Sequence, residues 1–283
     1  MSSILTNNSA MVALQTMKTI NNDLGKVQGQ ISTGLEVGSA KDNAAVFAIS
    51  EVMKSDVAGF EAISDSLALG SSTVAVASSA AESIGDTLTE IKTKIVSAQE
   101  SNVDRGKLDA EIKSLVDQVT SVVGAAQFNG LNLLDGSAGA SLDILSSLDR
   151  DSAGAVTTGK INVDLSATNL DTATGGGLEA LTTLDITTDD TSRAAALASI
   201  ETMVNTVIDA QATFGTAESR IESQSDFLSK LTDSFTSGIG SLVDADMEDA
   251  SAKLSALQVQ QQLSTQALSI ANSAPQQLLS LFR

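Results

Sequence analysis

The chain has no cysteine, histidine, tryptophan or tyrosine, and one proline. Without histidine or cysteine there can be no Ser-His-Asp or Cys-His nucleophile pair, no thiolate, and none of the usual zinc, haem or iron–sulfur ligand sets. Disulfides are impossible. Basic residues are scarce, 16 against 35 acidic ones, giving a net charge of −19 and a pI near 4.1. So acidic a chain is unsuited to nucleic acid or an anionic membrane, because both need clustered Lys and Arg to offset phosphate charge. Long apolar runs are missing too, and no segment approaches the roughly 20 residues that span a bilayer. Residues 1–14 lack the basic start and apolar stretch of a cleaved signal peptide. The chain is expected to be soluble when made, with no membrane insertion.

What is present is aliphatic. Hydrophobic residues make up 42% of the sequence and aromatic residues 2%, so the apolar share is mostly Ala, Val, Leu and Ile. Small side chains suit thin seams between close-packed helices better than a thick globular core. Proline at position 275 alone leaves almost nothing to interrupt a helix.

Charge is unevenly spread. Residues 1–40 carry Lys18, Asp23, Lys26 and Glu36, net zero; residues 250–283 carry Lys253 and Arg283, net +2; residues 41–249 hold −21. Two long, nearly uncharged ends with regular Leu, Ile, Val and Ala suit burial against each other or against other copies. On composition alone, a pair of disordered tails stays open as an alternative.

The periodicity predicts three long helices. From residue 44 to about 97 no proline occurs, and Leu67, Gly70, Val74, Ala77, Ala81, Ile84, Leu88, Ile91 and Ile95 alternate by three and four, a heptad seam. After a break over 100–106, Leu108, Ile112, Leu115, Val119, Val122 and Ala126 carry the spacing on. Leu197, Ile200, Val204, Val207, Gln211 and Phe214 show it again, extended less cleanly by Ile221, Leu228, Leu231, Phe235 and Leu242. At the ends, Ile20, Leu24, Val27 and Ile31 share one helical face stopped by Gly34. Met247, Ala250, Leu254 and Leu257 begin a last helix that continues through Leu263, Ala267 and Ile270 to Pro275. Neither end covers its apolar face alone, so the two are expected to pair as a coiled coil.

Between 142 and 191 the pattern changes. Residues 143–148, 160–165 and 184–188 alternate partially and carry β-branched residues, separated by Gly154, the Gly175-Gly176-Gly177 run and Asp189-Asp190. The glycine run is expected to be a flexible turn, since nothing around it has the spacing of a phosphate cradle. The expected fold is mainly α: a long antiparallel helical bundle or coiled coil, a terminal two-helix coiled coil, and a small insert rich in β-hairpins. The expected divisions are 1–40 plus 247–283, 41–140 plus 193–246, and 141–192.

The segment Ile31-Ser-Thr-Gly-Leu-Glu-Val-Gly-Ser-Ala-Lys-Asp-Asn-Ala-Ala45 resembles the turn joining the first two helices of bacterial flagellins. Gln127-Phe-Asn-Gly-Leu-Asn-Leu-Leu-Asp-Gly136 resembles the family motif after the second long helix, and Ser219-Arg-Ile lies in the expected downstream helix. The last residues, Ala271-Asn-Ser-Ala-Pro-Gln-Gln-Leu-Leu-Ser-Leu-Phe-Arg283, resemble the family ending. The likeness covers about 1–140 and 193–283.

The resemblance implies a secreted subunit of the extracellular flagellar filament, exported unfolded without a cleaved signal and polymerised helically at the filament tip. The chain ends would pair inside a hollow filament as the assembly interface, through Ile20, Leu24, Val27 and Ile31 with Leu254, Leu257, Leu263 and Ile270. The long helices would form the next shell through a seam of Leu67, Val74, Ile84, Leu88, Ile91, Ile95, Leu108, Ile112, Leu115 and Val119. Implied partners are other copies of the chain, the type III export apparatus, an export chaperone on the C-terminal segment, a filament cap and hook-junction proteins. No cofactor is implied.

Departures from the family are also legible. The insert is short. Glu36 stands where many members have arginine, so a compensating Lys or Arg is expected nearby. Residues 88–98 resemble the stretch read by a vertebrate innate immune receptor, but an Arg and a Leu common there are replaced by Glu90 and Lys94, while Lys92 keeps a basic charge. Weak agonism toward that receptor is the expectation.

The nearest rival is the hook–filament junction protein. A more remote one is an enzyme using carboxylates around Asp143, Asp149 and Asp151 or Asp189 and Asp190, none of which a recognisable motif positions. Asp244, Asp246, Glu248 and Asp249 lack an EF-hand pattern and suit a helix N-terminus.

Overall fold

The structure, a computed structural model, describes residues 7–151 and 154–281; Phe282 and Arg283 of the family-like ending lie outside the described residues. Five helices dominate: α1 (Asn8–Thr33), α2 (Ala44–Ser97), α3 (Arg105–Ala125), α4 (Asp190–Val243) and α5 (Met247–Leu281). Two hairpins accompany them, β1 (Gln127–Phe128) with β2 (Leu131–Asn132) and β3 (Ser141–Arg150) with β4 (Val156–Asp164), both antiparallel. Contacts divide the chain into one unit of residues 1–55 with 234–283 and a second of 56–233.

Helix starts are set by short polar side chains that satisfy otherwise unpaired amides. Asn7 accepts from the Ala10 N–H at 3.0 Å, Asp104 from Lys107 at 3.2 Å, Asp189 from Ser192 at 2.7 Å and Asp246 from Glu248 at 3.0 Å. Gly34 closes α1 at φ 75°, a left-handed conformation that costs glycine little. Helix α5 runs past Pro275 instead of stopping there. A proline removes the N–H that would bond the carbonyl four residues back, and that carbonyl, of Ala271, accepts instead from the Asn7 side chain at 2.7 Å.

In the unit of residues 56–233, the α2 seam is buried along its whole length. Leu67, Val74, Ile84, Leu88, Ile91 and Ile95 are all at most 1% exposed. Lys92 of α2 meets Glu201 of α4 at 2.6 Å and the Gln211 side chain donates to the Ala81 carbonyl at 3.1 Å, so α2 and α4 run antiparallel. On α3 the buried line is Ile112, Val116, Val119, Val123 and Ala126, with Leu108, Leu115 and Val122 half-buried beside it. On α4 it is Ala196, Ile200, Met203, Val207, Ala210 and Phe214, while Leu197, Val204 and Gln211 flank it. Ala196 and Ala210 in that line are small enough to admit close helix approach.

Hairpin β3–β4 packs one face inward through Ile144, Ile161 and Val163. The register slips by one residue at Ser146, whose carbonyl accepts from the Gln224 side chain at 2.8 Å. Of the three expected strand-like runs, the first two pair, but 184–188 is irregular. Its Asp185 carboxylate accepts from the backbone N–H of Thr187 and of Thr188, at 2.8 and 3.2 Å. These local bonds capture the backbone groups that a strand would have offered a neighbour.

The glycine run is a turn built for close packing, not for flexibility. A Cβ on Gly176 would run into the Asp171 carbonyl oxygen, and one on Gly177 would stand 2.6 Å from that of Asn169. Around it in the chain, Leu165, Leu170, Leu178, Leu181 and Ile186 are each buried.

Candidate functional site

The paired chain ends are the candidate site. Helices α1 and α5 lie against each other in opposite directions: the Asn7 side chain donates to the Ala271 carbonyl at 2.7 Å, and Gln261 donates to the Asn21 side-chain oxygen at 2.7 Å. At the other end the backbone closes the pair, with Glu36 N–H donating to the Val243 carbonyl at 2.7 Å and Ala245 N–H to that of Gly34 at 2.9 Å. That clasp fixes the register between two helices far apart in sequence.

Each helix presents an unbroken three-four repeat to the other. On α1 the line is Ala10, Ala13, Met17, Ile20, Leu24, Val27 and Ile31; Ile20 and Val27 are buried and the rest half-buried. On α5 it is Ala250, Leu254, Leu257, Gln261, Ser264, Leu268 and Ala271. The expected continuation through Leu263, Ala267 and Ile270 is therefore corrected. Leu263 and Ile270 are 58% and 69% exposed, because a step of six residues from Leu257 leaves the helical face. Counting back by three and four from Ile20 would have found Met17 and Ala13, and counting forward from Leu254 would have found Leu268. The polar Gln261 and Ser264 hide that line from a search for apolar residues.

Helix α5 thus carries a second apolar stripe, Val259, Leu263 and Ile270, that none of the described residues covers, and α1 exposes Met11, Val12 and Leu14. An open groove of about 760 Å³ between the two helices is lined by Val12, Ala13, Ala267, Ile270 and Ala271 with the small polar Asn8 and Ser9. No charged residue among the described residues lines it.

Electrostatics around the pair are sparse. Lys253, held above its ordinary pKa first by its hydrogen bond to Asp249 at 2.5 Å, also feels the charge of Glu36. Asp42, in the turn before α2, is held below the usual carboxylate range by the Ser39 hydroxyl and backbone N–H, at 2.9 and 3.0 Å.

Residues 90–94 of α2 are tied into ion pairs. Lys94 bonds Glu111 of α3 at 2.7 Å, which raises its pKa, and lies 3.7 Å from Glu90; Lys92 pairs with Glu201. No group of three or more metal-ligating residues occurs among the described residues. The acids once considered for catalysis have structural work instead: Asp143 accepts from Asn162 at 2.8 Å, Asp149 from Ser147 at 3.2 Å, and Asp189 caps α4. Among the described residues no helix is long and apolar enough to cross a membrane.

Long seams, paired ends and uncovered apolar stripes define a helical structural protein. Residues 4–139 match the family model for the bacterial flagellin N-terminal helical region, and residues 197–282 match that for the flagellin C-terminal helical region. The chain belongs to the flagellin family. It is 45% identical to the flagellin of Brucella melitensis biotype 1, covering 100% of both chains. It is 38% identical to flagellin C of Rhizobium meliloti over 100% of both, and 38% identical to flagellin FljO of Caulobacter vibrioides over 100% of this chain and 99% of that one. The protein is a structural subunit of the extracellular flagellar filament, a polymer of its own copies, and is not an enzyme. Nothing in these matches favours the hook-junction or enzyme alternatives.

Proposed function

We propose that the paired ends, 1–40 with 247–283, are the inner packing layer of a hollow filament, that 41–140 with 193–246 is the next layer, and that 141–192 faces outward. The observation that carries this reading is the uncovered apolar face of the end pair. Val259, Leu263 and Ile270 stay exposed among the described residues, and the flanking sequence has almost no charge to keep them in water. A neighbouring copy supplies the missing cover, so ordering of the ends and addition to the filament are one step.

The same apolar residues explain the export partners. A chain threaded unfolded through a type III export apparatus is free of disulfides, as this one is. A chaperone on the C-terminal segment hides Leu254, Leu257, Leu263 and Ile270 before export, and a cap complex and hook-junction proteins bound the growing polymer. Seeded elongation tests the reading: full-length monomer extends short filament fragments seen by electron microscopy, and a chain lacking 251–283 does not. Growth by the truncated chain sinks it.

The Glu90, Lys92 and Lys94 stretch supports a second statement, that the protein is a weak agonist of the innate receptor that reads this region in other flagellins. Lys94 is spent on Glu111, and Glu90 opposes the charge expected there. A receptor-reporter assay giving potency equal to that of an active flagellin refutes this.

A further inference from the structure

We propose that Met11 is a redox modification site: a hydroperoxide converts its thioether to the sulfoxide, and a subunit so modified adds poorly to the filament until a methionine sulfoxide reductase restores it. The inference rests on the reading above, in which a neighbouring copy covers the exposed face of α1.

The chain has no cysteine, tryptophan, tyrosine or histidine, which leaves its six methionines as the readily oxidised side chains. Five of them lie among the described residues, and their settings differ. Met203 is 2% exposed in the α4 seam, Met17 and Met53 are half-buried, and Met11 and Met247 are 63% and 43% exposed. Oxidation follows access, so the last two react first.

These two exposed sulfurs have opposite surroundings. Met247 opens α5 among Asp244, Asp246, Glu248 and Asp249, carboxylates that hold water around it in either oxidation state. Met11 stands in a stretch, residues 1–17, without one charged side chain, and shares an exposed apolar surface with Val12 and Leu14. It lies off the line of Ala10, Ala13 and Met17 that faces α5, so its oxidation leaves the pairing of the two helices intact.

In the oxidation, the Met11 Sδ lone pair attacks one oxygen of hydrogen peroxide. The S–O bond forms as the O–O bond breaks, and the proton on the transferred oxygen passes to the departing hydroxide, which leaves as water. Sulfur gives up two electrons and the peroxide gains them. A flexible apolar side chain becomes a polar one. In water the sulfoxide oxygen accepts hydrogen bonds, whereas apolar side chains of a covering copy offer it no donor, and an acceptor buried without a partner forfeits its hydration. Every added subunit carries Met11, so the penalty recurs at each addition. Met247 oxidises in the same chain without that consequence and serves as an internal control.

Full-length monomer treated with hydrogen peroxide tests this, the dose set by peptide mass mapping so that Met11 and Met247 are oxidised and Met203 is not. Seeded elongation is expected to slow roughly tenfold or more, as an unpaired buried acceptor predicts. Reductases for both sulfoxide epimers are expected to bring the rate back. For each variant the rate after peroxide is compared with its own rate before: Met11→Leu is expected to lose most of the slowing and Met247→Leu to keep it. Met11→Gln, polar and of similar length, is expected to grow slowly with no oxidant present. Unchanged growth of the oxidised wild-type chain overturns the proposal, as does slowing that survives in Met11→Leu, slowing that the reductases do not reverse, or wild-type growth of Met11→Gln. Failure of the chain-end reading shows separately, as growth of the chain lacking 251–283.

Discussion

Ile144 of β3 occupies the space a side chain on Gly70 of α2 would need. A Cβ there would stand 2.7 Å from the isoleucine Cδ1 and 2.8 Å from its Cγ2. Further along the same helix, Gly59 faces Leu148 at 3.4 Å, and Asp56 receives the Arg150 guanidinium at 2.5 Å. The hairpin is thus seated on α2 by two glycines and one ion pair.

Gly70→Ala should destabilise the chain by about 1–2 kcal/mol, since overpacking of about 1–3 kcal/mol outweighs the helix gain of about 0.5–1 kcal/mol. Urea unfolding followed by circular dichroism measures it. Adding Ile144→Val should recover part of the loss, and no recovery would mean the contact is not its source.

Asp56→Asn should cost more stability than Lys94→Ala. Asp56 is 9% exposed and its loss strips the Arg150 guanidinium of its carboxylate, whereas Glu111, the partner of Lys94, has a 55% exposed side chain. Melting temperatures of the two variants decide the order.

Gly176→Ala should destabilise by about 1–3 kcal/mol, because the obstacle is the Asp171 backbone and cannot rotate away. Gly25→Ala should act oppositely in α1, adding about 0.5–1 kcal/mol of helix preference, since no atom lies within 4 Å of its Cβ. Thermal unfolding of the first variant and helix content of the second are the readouts.

Acid should loosen the start of α4. The Thr188 hydroxyl and the Thr187 amide and hydroxyl lower Asp185 from 3.8 to about 2, and the Ser192 amide and hydroxyl hold Asp189 low as well. A carboxyl depressed in the folded state stabilises it above the unfolded pKa, and that contribution is lost as pH falls through the folded value. Amide protection at 185–193, relative to the intrinsic exchange rate at each pH, should therefore fall between about pH 4 and pH 2. Asp185→Asn should remove much of that pH dependence, and an unchanged profile would contradict it.

The sequence by itself determined the helices, their order and the seam of α2, because an unbroken three-four repeat leaves one way to bury its apolar face. Gln127-Phe-Asn-Gly was recognisable as a family motif, but the hairpin it forms was not among the expected strands. Asn129 and Gly130 take φ of 51° and 83°, which an Asn-Gly pair between strands favours. Other features had no local signal. That Leu268 and not Ile270 faces α1, that 184–188 bonds to its own aspartate, and that Gly70 meets Ile144 were decided by tertiary structure. Each depends on which residues distant in the chain come to lie within a few ångströms, and periodicity along one segment carries no information about its neighbour.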